Sequence, residues 1–234
     1  MSYVKRIVCL ASSWKHAGRC IAGKEVLDSG FGARLSGGWL RPVNARPKSG
    51  LSEEERTCTD ETFAVPIDML DIPLAHPAPE RHQVENHLID PDRRWVRAGR
   101  FAASQLHLLA DNPEQLWPNG SSTNHGLNDR VAARAAAELG WSLALIEPEE
   151  PFILLQDEDD ANLRVRTEFV YRGVPYALPV TDPSVMRAFR RKARGRYPLA
   201  PSWLCVSLGE PYEDGYCYKL AAAIIGKEDV AESR

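Results

Sequence analysis

The sequence predicts a mainly β protein with some α, its helices interspersed among short strands. Three observations predict it. First, 17 Pro and 16 Gly are spread along 234 residues, which marks many turns and short elements. Second, several apolar runs are short or alternate with polar residues, as strands do. Third, the last third of the chain reads strand, strand, strand, helix, strand, strand. A hydrophobic share of 44% and a charged share of 26% are ordinary for a chain that buries a real core.

Residues 4–12 read as a first strand. GGWLRPV (37–43) is a second, stopped by Pro42. The polar stretch 44–62 is a long loop. FAVPIDMLDIPL (63–74) holds Pro66 and Pro73 and so is expected as an edge or bulged strand. AHPAPERH (75–82) is a Pro-rich turn. Residues 97–110 are expected as a helix with Phe101, Leu106, Leu108 and Leu109 toward its buried side. After the loop PNGSSTNHG (118–126), Asn128 or Asp129 would cap a helix closed by Gly140. WSLALIEPEEPFILLQ (141–156) gives one broken strand or two.

LRVRTEFVY (163–171) alternates, with Leu163, Val165, Thr167, Phe169 and Tyr171 on one face. Arg172-Gly173 is a tight turn into VPYALPVT (174–181). Asp182 caps a helix with Pro183 at its first position, expected to run to about Ala193. WLCVSLG (203–209) and YCYKLAAAII (216–225) are the last strands. This order is that of the OB-fold, a five-stranded barrel that binds oligonucleotides, although other small barrels share it. No internal repeat or low-complexity tract interrupts it.

A net charge of −3 neither invites nor excludes nucleic acid, so any footprint must be local. RAFRRKARGR (187–196) supplies one, with six basic residues in ten. On a helix, Arg187, Arg190, Arg191 and Arg194 stand at i, i+3, i+4 and i+7 and share one side. Arg forks bind phosphate in a bidentate way, and counterions released from the nucleic acid add to affinity. The plain reading stands beside it: EPEEPFILLQDEDD (147–160) carries seven acids and no base, and could lie near the basic segment. An acidic protein partner is the third reading of the same charges.

Other motifs carry less. Gly18, four residues, then Gly23-Lys24 copies the spacing of a phosphate loop. Glu25 stands where Ser or Thr should hold Mg²⁺, and Ser29-Gly30 leaves no room for the helix. No CxxC exists among the five Cys, and His16 with Cys20 makes no metal site alone. Asp157, Glu158, Asp159 and Asp160 are adjacent and read as a hairpin tip, not a metal nuclease. Ser12, Ser13 or Cys20 near His16 lacks a third catalytic member, and no GxSxG elbow is present. His82, Gln83, Glu85 and Asn86 read as a hydrogen-bonded loop. Trp39 beside Arg41, and Tyr216 and Tyr218 beside Lys219, suit base stacking or a barrel core equally. The N-terminal apolar run is too short for a signal-peptide core, and no run approaches the length of a membrane span; a reduced, cytoplasmic protein with no membrane partner is expected.

Six segments in order resemble the bacterial dual OB-containing domain family: 5–23, 37–43, 82–90, 116–131, 169–183 and 207–225. The resemblance implies two OB-like five-stranded barrels, 1–95 and 141–226, with a helical connection at 96–140 and a polar tail at 227–234. It also implies nucleic-acid binding, an association with bacterial defence or mobile-element genes, and a groove lined by Ser13, Lys15 and Arg19. It makes CIAGKE strand and turn rather than phosphate loop.

The expected function is non-catalytic binding of single-stranded DNA or RNA with low sequence specificity, without cofactor or metal. The Arg ridge at 187, 190, 191 and 194 would hold phosphates. Arg164, Arg166, Arg41 and Lys219 would extend the path, with Tyr218 and Trp39 as stacking surfaces. The alternatives are an adaptor docking an acidic protein through the basic helix, and an enzyme on nucleotides or nucleic acid near Ser13, Lys15, Asn128 and Asp129.

Overall fold

A computed structural model of the chain describes residues 2–15, 18–29, 32–157 and 163–227. The chain divides after Leu109 into two compact units. It is mostly β throughout, with one closed five-stranded barrel and one half-barrel.

The first unit opens with β1 (Tyr3–Lys15), β2 (Gly18–Ser29) and β3 (Gly32–Val43). A short 3-10 turn, Glu54–Arg56, lies in the loop before β4 (Asp68–Pro77). β5 (Asn86–Ile89) and β6 (Val96–Arg100) follow, then a 3-10 segment, Ala103–Leu109. The sheet runs β1-β2-β3-β5-β4, and β1 pairs back onto β4 from Tyr3↔Leu74 to Val8↔Met69, which closes the ring. A register shift between Cys9 and Ala11 lets the long β1 bend and serve both neighbours. β3 and β5 are parallel and every other pair is antiparallel. That is the OB order. Ile7, Cys9, Ile21, Leu40, Leu70, Ile72 and Trp95 fill the interior.

Here the glycines that mimic a phosphate loop find their explanation. A Cβ on Gly23 would stand 2.1 Å from the Val8 carbonyl oxygen, and one on Gly18 2.5 Å from that of Leu51. Both glycines let neighbouring backbone approach, and Lys24 is buried within β2.

The second unit contains β7 (Arg130–Ala132), α1 (Ala133–Ala136), β8 (Leu143–Ile146), β9 (Glu149–Asp157), β10 (Leu163–Tyr171) and β11 (Val174–Pro179). After these come α2 (Pro183–Phe189), β12 (Gly195–Pro198), β13 (Ser202–Pro211) and β14 (Tyr216–Gly226). Two four-stranded sheets form, β11-β10-β9-β12 and β7-β14-β13-β8. The parallel bridge Val180↔Ala221 links them on one side. On the other, β12 pairs β9 and β13 pairs β14, with only residues 199–201 between β12 and β13. Pro198 and Pro201 lack the N–H that a continuous ladder needs. The order is again that of an OB barrel, with its fourth strand broken and the ring opened.

Several local expectations are corrected. The helix expected over 97–110 is strand then 3-10: Val96–Arg100 pairs with β4, and Leu108 is exposed. The two compact units meet at Leu109, and residues 96–140 hold strands β6 and β7 as well as short helical turns. The helix expected after Asn128 is one turn, because Arg130–Ala132 is drawn into pairing with Tyr216–Tyr218. β4 is bulged, as Pro73 suggested, but it is interior to the sheet and starts only at Asp68. Residues 141–156 form two strands. Asp182 caps α2 as expected, accepting from the Ser184 N–H at 2.8 Å, with Pro183 at the first turn. α2 ends at Phe189, however, because residues from Gly195 onward pair with β9. The carboxylates at 158–160, His16 and the tail 228–234 lie outside the described residues.

Among the described residues no helix is long and apolar enough to cross a membrane. No group of three or more His, Cys, Asp and Glu there is arranged to hold a metal ion.

Candidate functional site

The three-stranded face β9-β10-β11 of the second unit carries an open groove of about 440 Å³. One side of each strand is spent on the core: Ile153 and Leu155 from β9, Val165 and Phe169 from β10, Tyr176 and Leu178 from β11. The alternation then sends Leu154 and Gln156, Arg164, Arg166 and Glu168, and Ala177 to the other face. Arg196 joins this face from β12, opposite Leu154.

A loop, residues 118–129, forms one wall. Leu127 pairs with Ala177 by two backbone hydrogen bonds, of 3.2 and 3.0 Å. Gln156 donates to the His125 carbonyl at 3.4 Å, and Asn128 donates to that of Pro175 at 3.1 Å. Asp129, fully buried, anchors the loop from below: it accepts from the Thr123 N–H and hydroxyl and pairs with Arg166 at 3.3 Å. Gly126 must be glycine, since a Cβ there would fall 1.8 Å from the Asp129 carboxylate. Lys219 completes the anchor. It is fully buried, its N–H donates to the Asp129 carbonyl, and its ammonium donates to Asn119 Oδ1 at 2.8 Å. Burial pushes its pKa down to about 7, with the Asp129 charge opposing.

Along the outer edge runs the basic segment. Arg187, Arg190 and Arg191 are exposed, and among the described residues none of them has a carboxylate partner. Arg194 pairs with Asp157 at 2.5 Å, which holds its pKa above the usual guanidinium value. Arg196 donates to Glu168 Oε2 at 2.7 Å, and its guanidinium carbon stands over the Phe152 ring, 3.6 Å from the ring centre. Lys192 sits over the Phe189 ring at 4.2 Å. The expected ridge of four arginines on one helix is therefore corrected: only Arg187 is helical, Arg190 is the C-cap, and Arg191 and Arg194 follow in the turn. The cationic surface survives as an exposed turn leading to the groove edge.

The hairpin after β13 adds aromatics. Tyr212 is 63% exposed at its tip and meets Tyr218 edge-on at 6.1 Å. The Tyr218 hydroxyl donates to Asp214; burial first, then that carboxylate, raises its pKa. The Arg130 guanidinium covers the Tyr216 ring at 4.2 Å.

The first unit holds the remaining predicted residues, and most are inside. Arg41 is buried against Glu85 at 3.0 Å, and Asn86 and Gln83 continue the cluster. Trp39 is half-buried with the Lys24 ammonium 5.3 Å from its ring. At the end of the β1-β2 hairpin, Arg19 stacks on Trp14 at 3.5 Å; Trp14 is 47% exposed, and Lys15 is half-buried beside it. Ser13 is buried. Arg41, Arg166 and Lys219 are thus corrected from surface contacts to interior anchors, because each is buried and held by a polar partner: Glu85 for Arg41, Asp129 for Arg166 and the half-buried Asn119 for Lys219.

The model of the dual OB-containing domain matches residues 5–224, nearly the whole chain. The chain belongs to the dual OB-containing domain family. Comparison with curated proteins and with solved structures finds no match. The two OB circuits are the two barrels of the name. In an OB domain the face of strands 2 and 3 and the loops joining strands 1–2 and 4–5 bind ligands. In the second barrel of this dual OB chain, the described parts of those features are β10-β11 and the Tyr212 hairpin. The groove therefore sits on the face that an OB module uses.

Sequence reasoning missed Arg196, Glu168, Phe152, Gln156, Tyr212 and Trp14. Arg196 was hidden because helical spacing was extended past Phe189. The Gly195-Arg196 step was the signal that the basic run changes from helix to strand. Tyr212 lay in a recognised turn, EPYEDG, where an aromatic has no core to fill.

Proposed function

We propose that the protein is a binding module for single-stranded nucleic acid, held chiefly through phosphates by its second barrel. The observation that carries this is the exposed group Arg187, Arg190 and Arg191. It lacks carboxylate partners among the described residues and leads through Arg194 and Arg196 to a groove on the OB ligand face. Like charges held this close favour a polyanion, and phosphate backbones accept from Arg forks. Tyr212 offers a base an exposed ring beside the same barrel. Arg164, exposed on β10, extends the basic path. Affinity led by phosphates carries little sequence information. A place in a bacterial defence or mobile-element system follows from the family resemblance alone.

Fluorescence anisotropy with a labelled single strand tests this. Binding is expected to weaken steeply between about 50 and 200 mM salt. In Arg187→Glu/Arg190→Glu/Arg191→Glu, affinity is expected to fall at least tenfold at low salt. The slope of log K against log salt should shrink by about 2, from about 0.7 per lost single-strand phosphate contact. A folded triple variant that binds as the parent does would refute the reading. Salt-insensitive capture of an acidic protein in place of the strand would favour the adaptor.

A further inference from the structure

We propose that the groove of the second barrel is a nucleobase site that selects guanine, an inference that rests on the single-strand reading above. The charges divide into two kinds. Arg187, Arg190 and Arg191 stand in solvent without carboxylates among the described residues, as a phosphate path requires. The groove differs. Two carboxylates, Glu150 and Glu168, line it, and its Arg196 is already paired with Glu168 at 2.7 Å. A phosphate entering there would meet acids, whereas an uncharged base would not.

The groove has the parts a base needs. Its 440 Å³ lies within the range of about 300–1,000 Å³ for small-ligand clefts. The Arg196 guanidinium, its carbon 3.6 Å from the centre of the Phe152 ring, offers a planar cationic plate on which a ring can stack. The polar lining is rich in acceptors. Glu168 spends Oε2 on Arg196, and Oε1 has no hydrogen-bond donor among the described residues. An ionised carboxylate accepts only, with room for about four hydrogen bonds. Gln156 uses its amide N–H on the His125 carbonyl, which leaves its Oε1 to accept.

Acceptors choose among bases by their donors. Guanine carries two adjacent donors on one edge, N1–H and the 2-amino group, that match a carboxylate's two oxygens. Adenine and cytosine offer one amino group beside a ring acceptor. Thymine and uracil place their single N–H between two carbonyls, which face a carboxylate unfavourably. A site built to pair with donors rejects a ligand that lacks them, because its own groups are then left unsatisfied.

The test uses the full chain and thymine-tract strands carrying one central dG, hypoxanthine, dC, dA or dT, compared by anisotropy at about 50 mM salt. The dG strand is expected to bind about tenfold tighter than the all-thymine strand, the scale of one bidentate base contact. Hypoxanthine, which lacks the 2-amino group, should lose most of that gain. In Glu168→Gln the ratio of dG to dT affinity should collapse toward one. Equal, salt-sensitive binding of all five strands would overturn guanine selection and leave the single-strand reading standing. Binding of none would overturn both.

Discussion

The two barrels share a strand order and differ in closure. In the first, β1 reaches β4 over six residue pairs and the ring is complete. In the second, one bridge and an interrupted strand stand in for that seam. The charges differ in the same sense. The first barrel spends its buried Arg41 on Glu85 and its buried Asp68 on Arg97 and Arg100. The second keeps Arg187, Arg190 and Arg191 in solvent without carboxylates among the described residues. In the second unit residues 118–129 wall the outer face of β9-β10-β11, with Leu127 paired to Ala177.

The largest expected effect breaks the first barrel alone. Gly23→Val would place side-chain carbon 2.1 Å from the Val8 carbonyl oxygen. A loss on the order of 3 kcal/mol or more is expected, as for strain forced on a packed interior. Amide hydrogen exchange should show β1, β2 and β4 losing protection while β13 and β14, which have their own core, keep theirs. Equal loss in both units would show that the closed barrel's integrity governs the whole chain.

A smaller effect sharpens the functional side of the contrast. Both barrels expose an aromatic at a hairpin end, Trp14 in the first and Tyr212 in the second. Tyr212→Ala is expected to weaken single-strand binding by about 1–3 kcal/mol, the value of one stacked base. Trp14→Ala is expected to stay within about 0.5 kcal/mol, like a surface change away from a site. The reverse order in anisotropy titrations would move the interface to the first barrel.

The smallest concerns the anchor beneath the groove wall. Lys219 has a folded pKa of about 7 against an unfolded value of 10.5. Between those values the unfolded chain holds a proton that the folded one lacks, so this group's contribution to stability rises with pH from about 7 toward 10.5. Below pH 7 the folded chain carries the full cost of a buried ammonium. Lys219→Met removes that dependence. The parent-minus-variant difference in unfolding midpoint is therefore expected to favour the parent progressively as pH is raised from 6 to 9. A difference that stays flat would mean that the ammonium remains charged beside Asp129.

Much of the architecture was legible because it is local. The alternation in 163–171, the turn at Arg172-Gly173 and the Asp182-Pro183 cap each state their structure within a few residues. Arg172 and Gly173 both take positive φ, the turn that suits a two-residue hairpin. The misread segments are those where a distant partner decides. Residues 96–100 and 130–132 have helix-compatible sequences but complete sheets with β4 and β14. The site divided in the same way. Exposed Arg187, Arg190 and Arg191 were readable from charge density, because nothing has to come to meet them. Arg41, Arg166 and Lys219 were not, since the residues that bury them, Glu85, Asp129 and Asn119, lie 44, 37 and 100 positions away.

The most direct test of the central claim is amide hydrogen exchange of the full chain with and without a single strand of roughly 20 nucleotides at about 50 mM salt. The account predicts slowed exchange in residues 149–157, 163–179 and 187–198, with β2 and β3 of the first barrel unchanged. Protection confined to β2 and β3, with the second barrel exchanging as in the free protein, would contradict it.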